Sequence, residues 1–260
     1  MHPQHVIPET DYYAWVERWK QVELTKDRYK FFLREDGRVQ TGMTFDFDTL
    51  RHLFSTPGVT YVKIRFGLNH SQEHGPRFHL LLFGADKDNQ VLTPYFTSAA
   101  FSHHHQYSAP SVGEGNLPAI LMEEWQREWH QKVKEGSIDQ KMFKVHYGFL
   151  QGYNYPLKEI MQAIGTLRGP SVTKDNLTIH IKFGLHKYYS LYETRESELE
   201  YVYTFGLMLY AEAPTGSSLA PTGSAERFAE PALTQNQPLA LSREEESGYY
   251  DLTAPCPQTC

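Results

Sequence analysis

Four basic residues occupy matching places in two closely similar stretches of this chain. Lys63 and Arg65 alternate with Val62, Ile64 and Phe66 in Tyr61-Val62-Lys63-Ile64-Arg65-Phe66-Gly67-Leu68, and His180 and Lys182 alternate with Ile179, Ile181 and Phe183 in Leu177–Leu185; both stretches close on Phe-Gly-Leu. Apolar residues at every second position are the mark of a half-buried strand. The pattern therefore predicts that Lys63, Arg65, His180 and Lys182 share the outer strand face, where they form an anion-binding stripe or a face charged for solubility. Recognition of RNA on a sheet needs aromatic rings among such charges, and here Phe66 and Phe183 fall on the apolar side. No nucleic-acid partner is expected.

A second set of residues has the chemistry of metal ligands. His70, His74 and His79 lie on or beside the first hairpin, and His103, His104 and His105 form a run in a later loop. Several imidazoles converging from these places would hold a transition metal, the one cofactor the chain offers. Consecutive histidines diverge, so the alternative is a solvated loop. Trp15/Trp19 and Trp125/Trp129, two pairs spaced i, i+4, serve either as core or as an aromatic groove. At the far end, Tyr249, Tyr250, Cys256 and Cys260 give the C-terminal segment the look of a peptide read by another protein. No nucleophile motif and no Gly-rich phosphate loop follows a strand, which leaves enzymatic activity without positive support.

The elements that position these residues occur twice. Amphipathic helices are predicted over Asp11–Val22 and Leu121–Val133, the first with Tyr12, Trp15, Val16 and Trp19 on one face. Strands follow over 38–45 and 141–150, then short helices over 48–54, with Asp48 as cap, and 155–161. The duplicated basic strands come next, and each leads through a polar hairpin loop to a strand apolar on both faces, Phe78–Ala85 and Glu200–Tyr210, as a central strand should be. The fold class read from this order is α+β: a tandem duplication of a helix-strand-helix-strand-strand unit with mainly antiparallel sheets. The units span 1–100 and 118–212, joined by a His-rich linker over 101–117. From residue 213 the chain is rich in Pro, Ser, Thr and Glu, repeats Ala-Pro-Thr-Gly-Ser, and reads as a disordered acidic tail over 213–260.

Charge supports that division. Of the 31 acidic and 25 basic residues, six and two lie from Ala213 onward, so the body before it is nearly neutral. The cassette Val62-Lys63-Ile64-Arg65-Phe66-Gly67, followed by Leu81-Leu82-Phe83-Gly84-Ala85-Asp86-Lys87-Asp88-Asn89, resembles a set of small uncharacterised bacterial α+β proteins, some of which end in Pro-Cys-Pro-x-x-Cys as Pro255–Cys260 does. The chain departs from them at Gln90, where they carry glycine, and at Lys182, which replaces Arg65 in the second unit. That set has no known activity, so the resemblance implies no catalytic residue. The absence of a long apolar run and of a secretion signal, with both cysteines confined to the terminal segment, fits a soluble cytoplasmic protein with no membrane partner. The expected function is that of a non-enzymatic binding or adaptor protein whose tail presents a recognition peptide; the alternative is a metal-dependent hydrolase built on the six histidines.

Overall fold

The computed structural model describes residues 6–24, 26–70, 75–101, 119–145, 148–165, 178–189, 201–212 and 249–251. Its elements, in chain order, are β1 (Val6–Ile7), α1 (Glu9–Lys20), a 3₁₀ segment (Lys26–Phe32), β2 (Gly42–Asp46), α2 (Phe47–Ser55), β3 (Tyr61–Leu68), β4 (Phe78–Ala85), β5 (Tyr95–Phe96) and β6 (Ala99–Phe101). There follow α3 (Ala119–Lys134), a second 3₁₀ segment (Gln140–Phe143), the small hairpin β7 (Lys144–Val145) and β8 (Gly148–Phe149), β9 (Gly152–Pro156), α4 (Leu157–Gly165), β10 (Thr178–Tyr189), β11 (Tyr201–Glu212) and β12 (Tyr249–Asp251). The class is α+β with antiparallel sheets, as the periodicities require. Asp46, rather than Asp48, caps α2: its carboxylate accepts from the Thr49 backbone N–H at 2.6 Å.

Two five-stranded sheets carry the fold, ordered β1-β5-β4-β3-β9 and β12-β11-β10-β2-β6. Each sheet takes strands from the opposite half of the sequence, β9 in the first and β2 with β6 in the second. β9 pairs with β3, placing Gly152 opposite Arg65, and β2 pairs with β10, placing Gly42 opposite Lys182. The two halves of the sequence are thus interleaved. The exchange requires glycine at both crossing points. A Cβ on Gly42 would lie 2.5 Å from the Ile181 carbonyl oxygen, and one on Gly152, whose φ is +146°, would collide with the Ile64 carbonyl oxygen.

The alternate apolar residues of the two sheets meet in one core. Val62, Ile64, Phe66, Phe78 and Leu80 from the first sheet, and Ile179, Ile181, Phe183, Phe205 and Leu207 from the second, are all buried there. Phe66 and Phe78 lie edge-on to Phe205, and Phe78 to Phe183, at ring separations of 5.6–6.0 Å, the geometry the aromatic quadrupole favours. Burying a side chain of this size contributes about 2–3 kcal/mol. Trp19 and Trp129 close the core, and each indole N–H donates at 2.8 Å to a carbonyl of the opposite half, Leu150 for Trp19 and Gln40 for Trp129. These four residues, with Phe66 N–H on Gln151 O and Phe183 N–H on Thr41 O, lock the interleaving with equivalent bonds on both sides. The other tryptophan of each pair stays on the outer face: the Cβ of Trp15 and that of Trp125 pack over Gly67 and Gly184 at closely similar distance.

Beyond Glu212 the structure describes only β12, which pairs with β11 through Met208↔Asp251, Leu209↔Tyr250 and Tyr210↔Tyr249. Three residues of the segment read from sequence as a tail are therefore a sheet strand, and its remaining residues lie outside the described ones. Among the described residues no helix is long and apolar enough to cross a membrane.

Candidate anion-binding site

Strand register decides where the four basic residues go. Leu68 pairs with Phe78 and Leu185 with Phe205, so Lys63 and His180, and likewise Arg65 and Lys182, hold equivalent positions in different sheets. They form two separate pairs. They are also buried rather than displayed: Lys63 is 3% exposed, Arg65 5%, His180 5% and Lys182 1%. The expected solvated stripe is corrected accordingly. Period-two alternation identifies the face opposite the core correctly, but it carries no information about what covers that face.

On the first sheet the cover is aromatic. Tyr12 and Val16 of α1 pack with Leu81, Phe83 and Tyr95 in a second apolar cluster, in which Tyr12 stacks on Tyr95 at 3.8 Å. Burial, helped by the Tyr13 hydroxyl, pushes the Tyr95 phenol well above its ordinary range. The Arg65 guanidinium lies 5.7 Å from the centre of the Phe83 ring, within the reach of a cation–π attraction. Its Nη1 donates to the carbonyls of Ile64 and Tyr153 and to Asn154 Oδ1 at 2.9 Å. All three acceptors are neutral. Nε–H and the Nη2 group make no hydrogen bond among the described residues. Two residues away, Lys63 Nζ donates to Asn89 Oδ1 at 2.7 Å.

Asn89 is delivered by its turn. Asp86 Oδ1 accepts from the Asp88 and Gln90 N–H groups, and Asn89 takes φ = +66°, a left-handed conformation that asparagine tolerates better than most residues. The glycine missing at Gln90 is therefore not needed there. On the second sheet, His180 Nδ1 lies 3.0 Å from Thr44 Oγ1, and Thr44 is the counterpart of Asn154. The neutral partners Asn89, Asn154 and Thr44 were not legible in the sequence, because each reaches its basic residue across a strand pair or a turn joined only in the fold.

Of the six candidate metal ligands, His70 is exposed and His79 half-buried, while His74, His103, His104 and His105 lie outside the described residues. Among the described residues no group of three His, Cys, Asp or Glu could hold a metal ion. His79 faces Trp15 at 5.2 Å, with Nδ1 3.4 Å from Thr97 Oγ1, and burial lowers its pKa to about 4. Tyr249 and Tyr250 are in β12, whereas Cys256 and Cys260 lie outside the described residues.

An ionised group this deeply buried is costly unless its charge is matched. Arg65 presents a planar fork with its charge met by neutral dipoles alone, beside an ammonium on the same strand. Nε and Nη2 of a guanidinium are the two donors that a carboxylate or phosphate engages in bidentate geometry. No family model matches the chain, and neither a curated protein nor a solved structure does.

Proposed function

We propose that this chain is a non-enzymatic binding protein that takes an anionic group, a carboxylate or a phosphate, on Arg65 with Lys63 alongside. The observation that carries the reading is the buried Arg65 guanidinium bonded only to neutral acceptors. A role as an adaptor follows if the anion belongs to another protein, and the charge balance of the body speaks for one local contact rather than for broad attraction to a polyanion. The hydrolase reading receives no such support, because His79 is turned toward Trp15 and Thr97. A cytoplasmic setting fits the placement of both cysteines at positions 256 and 260.

The test is titration of the full chain with inorganic phosphate and with citrate, followed by calorimetry and by the amide shifts of Ile64–Phe66 and Asn154. Saturable binding is expected, lost in Arg65→Met, weakened in Lys63→Met and retained in Lys182→Met. Binding that survives in a folded Arg65→Met protein, or shifts confined to the second sheet, would overturn the assignment.

A further inference from the structure

The equivalence of the two sheets reaches their outer strands, and there it exposes a difference. Leu82 of β4 and Leu209 of β11 are counterparts; Leu82 pairs with Phe96, and Leu209 with Tyr250. Tyr249-Tyr250 therefore stands where Tyr95-Phe96 stands, with an aromatic pair in the same register. The two short strands are held very differently. β5 follows β4 after residues 86–94 and is clasped on its far side by β1, through Val6↔Phe96 and Ile7↔Tyr95, while Tyr95 stacks on Tyr12. β12 arrives only after residues 213–248, is the outermost strand of its sheet, and has no strand on its far side among the described residues. Three residue pairs join it to β11, where one joins β5 to β4, so the difference between the two strands lies in the clasp by β1 and in the length of the connection.

We infer that the edge of β11 on which β12 lies is a strand-acceptor site and that β12 is its displaceable resident, exchangeable for the same segment of a second copy of this chain. An edge strand offers unpaired backbone N–H and C=O groups to any extended segment of suitable pattern. The pattern that fits this edge is written in the chain itself, Tyr249-Tyr250-Asp251. The 36 residues between β11 and β12 are long enough for the segment to be exchanged, and a strand given to a second copy makes the same backbone bonds there as in its own chain, the low-cost route to a swapped dimer. In the first sheet, the short connection and the clasp by β1 remove that opportunity.

The full chain provides the test. A synthetic peptide covering residues 245–255 is added in excess, and backbone hydrogen exchange is followed in two places. We expect exchange of the chain's own segment 245–255 to accelerate at least tenfold as the peptide replaces it, while residues 201–212 stay protected. A full chain carrying Tyr249→Pro and Tyr250→Pro removes whichever of these alternating N–H groups faces β11, and it should bind the labelled peptide at least tenfold more tightly than the unsubstituted chain. A peptide with the same two prolines should not bind. Unchanged exchange in both segments, or equal peptide affinity for the two chains, would show β12 to be a permanent edge. Light scattering across a concentration series decides the occupant: concentration-dependent dimers are expected in the unsubstituted chain and are lost with the double proline, and a chain that stays monomeric at every concentration would overturn the second-copy partner.

Discussion

In the first sheet an imidazole reaches Trp15 from β4, and in the second an imidazole reaches Trp125 from β10. His79 lies opposite Gly67 and meets Trp15 at 5.2 Å, tilted by 43°. The counterpart of His79 in β11 is Gly206, and the space left by its missing side chain is filled by His186, which stacks on Trp125 at 3.6 Å and 21°. A Cβ on Gly206 would collide with the His186 ring. The same outer pocket beside the first tryptophan of each helix is thus filled from two different strands. What the repeat preserves is the filled volume beside the indole, and the residue that fills it is free to move. In both places burial holds the imidazole neutral, with a pKa lowered to about 4.

The largest effect is expected where the two halves agree. Phe66→Asp and Phe183→Asp each place an unpaired carboxylate in the shared core, at a cost of several kcal/mol against a total stability of about 5–15. Both chains should be unfolded at 25 °C by circular dichroism, and a folded Phe183→Asp chain would mean that the second half contributes less to the core than the first. Next come the crossing glycines. Gly152→Ala should cost more than about 3 kcal/mol in chemical denaturation, because it adds a clash with the Ile64 carbonyl to a left-handed φ; Gly42→Ala, strained by contact alone, should cost less.

Acid should act on both imidazoles alike. A histidine whose folded pKa lies below its unfolded value stabilises fully above pH 6.5 and loses that contribution as pH falls toward 4. Each of His79 and His186 should therefore remove about 1–2 kcal/mol of stability between pH 7 and pH 5, the lower figure allowing for partial exposure. Thermal midpoints across this range should flatten in steps with His79→Phe and His186→Phe; an unchanged slope in the double variant would remove the imidazoles as the cause. The smallest effect distinguishes the two pockets. Gly206→Ala should cost about 1 kcal/mol by displacing His186 and should be partly relieved by His186→Ala, a coupling that a double-mutant cycle reads directly.

Much of the fold was legible in the sequence because its signals are local. The periods of α1, α3, β3 and β10, and the doubly apolar strands β4 and β11, follow from side-chain spacing alone, and those two strands are interior to their sheets. The exchange of β2 and β9 was not legible, since a strand's pattern states which face is buried and not which neighbour it pairs with. For the same reason, Lys63, Arg65, His180 and Lys182 were placed on the correct face and given the wrong surroundings. Tyr249 and Tyr250 were obscured by a low-complexity segment, and their strand became visible only through its register with Met208–Tyr210.

The interleaving also sets a timetable for synthesis. When residue 101 leaves the ribosome, β2 has no β10 to pair with, and β3 has no β9 on its open side. At about 5–20 residues per second, the nascent first half waits on the order of ten seconds before Thr178–Tyr189 is complete, holding two strand edges and a phenylalanine-rich surface exposed. Non-local pairing of this kind slows folding and invites pairing with a neighbouring nascent chain. Neither half is therefore a natural unit for expression alone, and chains emerging side by side on one messenger are the most favourable place for two copies to trade strands.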